Sequence, residues 1–161
     1  MRVLLYRGRS IVSRGIQLQT RSKYSHVAVE LDNGAVIEAW HKGGVRLIKD
    51  PFEGHSDKTL IDVYRIDEGY KPHRVERFLR SRIGRKYDFR SVFRFLTRIK
   101  AKDNDKWFCS ELTIEAFRHG GLNLLKGNSG MLSPRDVSLS PNLTYIHTLE
   151  KKDGRIVQTE G

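Results

Sequence analysis

The stretch that decides the fold is Tyr24–Trp40, "YSHVAVELDNGAVIEAW". Val27, Val29 and Leu31 alternate with His26, Ala28 and Glu30, the period of a strand with two unlike faces. Asp32-Asn33-Gly34 is strong turn chemistry, and a second apolar run follows it, so the segment reads as a β-hairpin. Parity then fixes the pairing. With Leu31 opposite Ala35 across the Asp32–Gly34 loop, Ala28 falls opposite Glu38 and His26 opposite Trp40. Val27, Val29, Leu31, Ala35, Ile37 and Ala39 share one apolar face. His26 and Glu38 share the other as diagonal neighbours, about 7–8 Å apart at the backbone and within side-chain reach. A shorter Asn33-Gly34 loop would slip the register by one and mix the faces.

Outward from the hairpin, "VLLY" (3–6) predicts a preceding strand, and "SIVSRGIQLQ" (10–19) has weak helical spacing, interrupted by Gly15. "VRLI" (45–48) after Gly43-Gly44 and "TLIDVYRI" (59–66) predict two more strands, with "KDPFEGHSDK" between them as loop. After Gly69 the pattern turns helical. "PHRVERFLRSRIG" spaces Val75, Phe78, Leu79 and Ile83 for one helix, with Pro72 near its start and Gly84 at its stop. "SVFRFLTRI" (91–99) repeats the spacing, and "KAKDNDK" (100–106) is a polar loop. A helix from about Cys109 to His119 ends at Gly120-Gly121. Ser133-Pro134 has the chemistry of an N-cap and first helical residue. "NLTYIHTLE" and "GRIVQ" close the chain as a strand pair about Lys151–Gly154. Strands lead, helices follow and strands return, which predicts an α+β domain with a mostly antiparallel sheet.

The 161 residues predict one domain spanning 1–161, with 38% hydrophobic and 30% charged residues typical of a soluble globular protein. Arginines interrupt the short apolar run at the start, and no stretch approaches the roughly 20 apolar residues that cross a bilayer. The expectation is a cytoplasmic protein, with a phage origin left open. A single cysteine excludes an internal disulfide, and scattered histidines supply no zinc ligand spacing. The net charge of +11 is concentrated between Lys71 and Lys106. Arg74, Arg77, Arg80, Arg90, Arg94 and Arg98 are solvated helix faces or a surface for an anionic polymer or membrane. No nucleic-acid-binding motif accompanies them, so no specific nucleic-acid partner is expected.

The only cysteine stands in "DKWFCSELTIEAFRHGG" (105–121). A thiol attacks as its thiolate; a helix N-terminus and a nearby imidazolium both favour that form. Cys109 begins a helix whose apolar stripe includes Leu112, Ala116 and Phe117. The same backbone N–H groups can stabilise an oxyanion. Among the six histidines, His119 is at the far end of that helix, about 15 Å along its axis. His41, His55 and His73 read as surface residues in or beside loops. His147 serves only if its strand crosses the site. His26 opens a strand, which holds a base firmly, and Glu38 is placed to orient its ring.

"TRSKYSHVAVELDNGAVIEAW", "GGVRL", "IGRKYDF", "WFCSEL" and "LSPRDV", in this order, resemble the circularly permuted NlpC-type papain-like cysteine hydrolases, the bacterial YiiX-like group. The resemblance covers about Ser22 to Val137. It implies a permuted papain-like fold in which the sheet packs against the helix bearing the cysteine. It places the nucleophile at Cys109, the general base at His26 and the orienting residue at Glu38. Tyr87, Tyr24 and Ser110 fall at positions that would support substrate or oxyanion. It implies a thiol hydrolase acting on an amide bond of a peptide or cell-wall stem, with no metal or other cofactor. Two rival readings are a lipid-directed acyl hydrolase or acyltransferase at an anionic membrane and a non-catalytic binding module on the same fold. The Asn-Cys-Glu-His stretch of lecithin:retinol acyltransferase-like relatives is absent, since this chain has Phe-Cys-Ser-Glu.

Overall fold

The hairpin forms in the register its parity demands. β2 (His26–Glu30) and β3 (Val36–Trp40) pair with Val29 opposite Ile37 and Glu30 opposite Val36. The Leu31 amide closes the turn on the Ala35 carbonyl at 2.8 Å. This is a computed structural model that describes residues 1–56, 58–67, 69–88, 106–129 and 132–159. The helix expected over 91–99, the loop over 100–105 and the basic residues Arg90, Arg94 and Arg98 lie outside the described residues.

Around the hairpin stand β1 (Arg2–Arg7), β4 (Gly44–Ile48), β5 (Leu60–Ile66), β8 (Leu143–Lys152) and β9 (Arg155–Thr159). They form one sheet in the order β4-β3-β2-β1-β5-β8-β9, with every neighbouring pair antiparallel. A short parallel pair, β6 (Lys86–Tyr87) with β7 (Lys106–Trp107), was not legible in the sequence. α1 (Ile11–Thr20) begins where Ser10 accepts the Ser13 amide, and α2 spans Pro72–Arg82. α3 (Cys109–His119) carries the cysteine, and α4 (Pro134–Ser138) opens with a full capping box between Ser133 and Asp136. Among the described residues no helix is long and apolar enough to cross a membrane.

The two sheet faces bury different cores. Val3, Leu5, Val27, Val29, Ile37 and Ala39 pack against Val75 and Leu79 of α2 and Leu112, Ala116 and Phe117 of α3. Burial of each such side chain contributes roughly 1.5–3 kcal/mol before entropy is counted. The opposite face buries Leu4, Tyr6, Ala28, Val36, Ile48, Ile61 and Val63 under Phe52. Phe52 comes from the segment 49–56 after β4, which folds back over this face. The second face, which parity marks only as more polar than the first, is thus buried as well. His26 and Glu38 sit under cover.

Candidate active site

Glu38 is fully buried on the loop-covered face, and each of its oxygens is occupied. His26 Nε2 lies 2.6 Å from Oε2. Arg46, opposite Glu38 on β4, donates from Nε at 2.8 Å to Oε1, with Nη2 2.7 Å from the same atom. Arg46 is itself held by the Glu53 carbonyl at 2.8 Å and lies over the Trp40 ring. Burial opposes ionisation of Glu38, but His26 and His55 beside it outweigh that and keep the carboxyl well below its usual range.

His26 is the first residue of β2, so its ring stands at the end of the sheet, where the two faces meet. Tyr6 and Trp40 approach it edge-on, with centroids at 5.0 and 5.6 Å. With Nε2 turned to Glu38, Nδ1 is the nitrogen left for the thiol of Cys109. Burial pushes the imidazole towards the neutral form. The Cys109 charge and hydrogen bond, followed by the hydrogen bond and charge of Glu38, reverse this and lift its pKa to about 10. Cys109 belongs to the helix-side core and His26 to the loop-side face, so their contact is made around the strand end.

α3 reaches that strand end with its N-terminus. Phe108, the N-cap, provides no side-chain cap, so no side-chain oxygen from that position occupies the first-turn amides. Tyr87 arrives by a separate route. Gly44 has φ +83°, and a Cβ there would stand 2.0 Å from the Arg85 carbonyl. That close approach lets the Val45 amide bond Arg85 at 2.8 Å and lays β6 against β4. Burial first, then the charges of Cys109 and Asp88, raise the Tyr87 phenol well above its usual range.

A cleft of about 650 Å³ opens at this end of the sheet, with His26, Tyr87, Trp40, Arg46 and His55 among its lining residues. Cys109 is 1% exposed and is not among the residues that line this cleft. Acylation of the sulfur therefore requires the side chains in front of it to part.

The remaining sequence candidates lie elsewhere. The Tyr24 hydroxyl, expected near the substrate, is engaged by Asp62 and Tyr64 at 2.8 Å each. The Ser110 hydroxyl, expected near the oxyanion, is buried and bonds the Leu132 carbonyl. Neither lines the cleft. His119 stacks on Phe78 at the distal end of α3, and His147 pairs with Val63 on β8, away from the hairpin. His73 is exposed within α2 rather than in a loop.

Sequence reasoning missed two residues. Arg46 had a usable signal, because continuing the hairpin parity across Gly43-Gly44 sets it opposite Glu38. His55, expected at the surface, has a side chain only 6% exposed, with Nε2 3.7 Å from Glu38 Oε2. It stacks on Tyr6 at 4.4 Å. Gly54 at φ +80° makes room for this: a Cβ there would crowd Arg46 and the Trp40 ring at 3.2 and 3.4 Å. Nothing local in "EGHSD" foretells that fold-back.

No family model matches the chain. It is similar to the probable lipoprotein peptidase YaeF of Escherichia coli K12, 27% identical over a 158-residue alignment that covers 79% of this chain. The chain spans 58% of that protein's length. It also resembles the crystal structure of YiiX from Escherichia coli O157:H7, described as a metalloprotein. The TM-score is 0.68 over 90% of this chain and 94% of the other, at 21% identity. The α+β architecture with a mostly antiparallel sheet is therefore the YiiX fold.

Proposed function

We propose that this protein is a thiol hydrolase of the circularly permuted NlpC-type papain-like class, cleaving an amide bond through an acyl-enzyme on Cys109. The observation that carries the reading is the chain of contacts from Arg46 through Glu38 and His26 to the thiol at the N-terminus of α3. The peptidase name of the YaeF relative supports an amide substrate.

In the proposed reaction His26 Nδ1 takes the thiol proton, and the sulfur attacks the carbonyl carbon. The first amides of α3 receive the developing oxyanion, with the Tyr87 phenol beside them. As the C–N bond breaks, His26 returns the proton to the leaving amine. Water then attacks the thioester, giving its proton to His26, and the acid leaves. Glu38 fixes which ring nitrogen faces the sulfur and balances the imidazolium. Arg46 holds Glu38 in aim through Oε1.

The test is mass spectrometry of the protein incubated with a casein-derived peptide mixture. The expected result is peptide cleavage, a transient acyl adduct on Cys109, and loss of both in Cys109→Ala. Cleavage that survives Cys109→Ala overturns the reading. Arg74 and Arg77, exposed on α2, are proposed to meet an anionic polymer or membrane. Liposome pelleting that needs acidic lipid and weakens with salt tests that part.

A further inference from the structure

The nitrogen of His26 that faces away from the thiol shares Glu38 with a third side chain, His55, that the hydrolase reaction does not use. His26 Nε2 and His55 Nε2 lie 2.6 and 3.7 Å from Glu38 Oε2, and one ligand-type atom from each of the three residues lies within 4.8 Å of the others. His55 Nε2 is buried and has no hydrogen-bond partner. Its 3.7 Å separation from Glu38 Oε2 exceeds a hydrogen bond. A buried nitrogen left without a partner is destabilising unless something satisfies it. The rings of Tyr6 and Trp40, at 4.4 and 4.5 Å, hold the imidazole in this aim.

We propose that His26, Glu38 and His55 form a binding site for a divalent transition-metal ion of the zinc type, and that occupancy of this site switches off His26 as a base. The donor set is two imidazoles and one carboxylate, which suits zinc and its borderline neighbours rather than calcium or magnesium. Tetrahedral ligands at ordinary zinc distances stand about 3.3 Å apart. The 3.7 Å gap between His55 and Glu38 is already close to that. The 2.6 Å contact between His26 and Glu38 opens by about 0.7 Å as its shared proton gives way to the ion. Arg46 occupies Oε1, which leaves Oε2 to ligate and fixes the carboxylate plane, as supporting partners of metal ligands do. Both histidines line the cleft, which gives an ion an entry path.

The antagonism rests on the thiol-hydrolase reading and follows from proton accounting. A neutral imidazole carries one ring proton. With Nε2 on the ion, that proton resides on Nδ1, facing Cys109. Nδ1 then has no lone pair to accept the thiol proton, so the step that generates the nucleophile is lost. Removing the ion returns the proton to Nε2, where Glu38 accepts its hydrogen bond, and frees Nδ1.

The experiment uses the full chain, stripped with EDTA and dialysed against zinc chloride, then measured by elemental analysis and thermal unfolding. The wild type is expected to retain one zinc per chain and to melt at a higher temperature. His55→Ala and His55→Gln are expected to lose at least 10-fold in zinc affinity, while melting cooperatively without zinc. Cys109→Ala is expected to keep the ion. Zinc is expected to slow acylation of the wild type by the casein peptides, with EDTA restoring it. No retained zinc in the wild type, or equal retention in both His55 variants, overturns the site. Zinc that binds at His55 yet leaves hydrolysis unchanged or raises it overturns the antagonism. If no variant or wild type hydrolyses peptide but zinc still binds through His55, the hydrolase reading fails and the metal site stands.

Discussion

Two carboxylates are buried in this sheet, and the difference between them separates structure from function. Asp62 lies on the helix-covered side. It accepts hydrogen bonds from Thr148 at 2.7 Å, Tyr24 at 2.8 Å and Arg7 at 2.6 Å, with Lys23 at 3.2 Å. Glu38 lies on the loop-covered side, with Arg46 on one oxygen and two imidazoles converging on the other. Both are satisfied anions at about equal burial. Around Asp62 every partner is a hydroxyl or a permanent cation. Around Glu38 one partner exchanges protons and touches a thiol at a helix N-terminus. Burial and pairing alone do not mark a site; the chemistry of the partners does.

The largest expected effect is the loss of peptide cleavage in Cys109→Ala, followed by a fall of roughly 10²–10⁴-fold in kcat/KM for His26→Ala. Steady-state kinetics on one cleaved peptide measures both. Glu38→Gln is expected to cost about 10²-fold in kcat, because the amide can present either a donor or an acceptor to Nε2 and loosens control of the tautomer. Asp62→Asn draws the contrast. It removes one partner of a buried charge pair and is expected to cost about 3 kcal/mol of stability in urea unfolding, with kcat of the folded protein unchanged. A large kcat loss in Asp62→Asn, at full folding, would break the distinction between the two carboxylates.

Acid stability sharpens the same contrast. Burial raises the Asp62 pKa, but Thr148, Tyr24, Arg7 and Lys23 outweigh it and hold the folded value below normal. Its contribution is therefore fully present above about pH 4, the unfolded value. It is lost as pH falls through the lower folded value. Unfolding free energy is expected to drop more between pH 5 and pH 2.5 in the wild type than in Asp62→Asn. The smallest expected effect is a severalfold loss of kcat in Tyr87→Phe, since the α3 amides remain to hold the oxyanion.

What could be read in advance follows the range of the interactions. Alternation and turn chemistry act over a few residues, so the 24–40 hairpin, its register and the shared face of His26 and Glu38 were legible. The helix beginning at Cys109 was legible because "DNDK" precedes it and Gly120-Gly121 stops it. Sheet order was not, because β1 pairs with β5 across some sixty residues, Arg2 opposite Arg65, and no local pattern encodes that choice. The partners of the Tyr24 and Ser110 hydroxyls, Asp62 and the Leu132 carbonyl, were hidden for a related reason: proximity in sequence to His26 and Cys109 does not say where a hydroxyl finds its acceptor. His55 was hidden because a loop histidine becomes a buried one only when Phe52 anchors the loop on the far face.

Alkylation of Cys109 by iodoacetamide at neutral pH, in EDTA-treated wild type and in His26→Ala, tests the central claim most directly. The thiol–imidazole contact predicts ready, stoichiometric modification of the folded wild type, slowed roughly 10–100-fold when the imidazole is removed. A Cys109 that resists modification while folded, or reacts at the same rate without His26, would contradict the account.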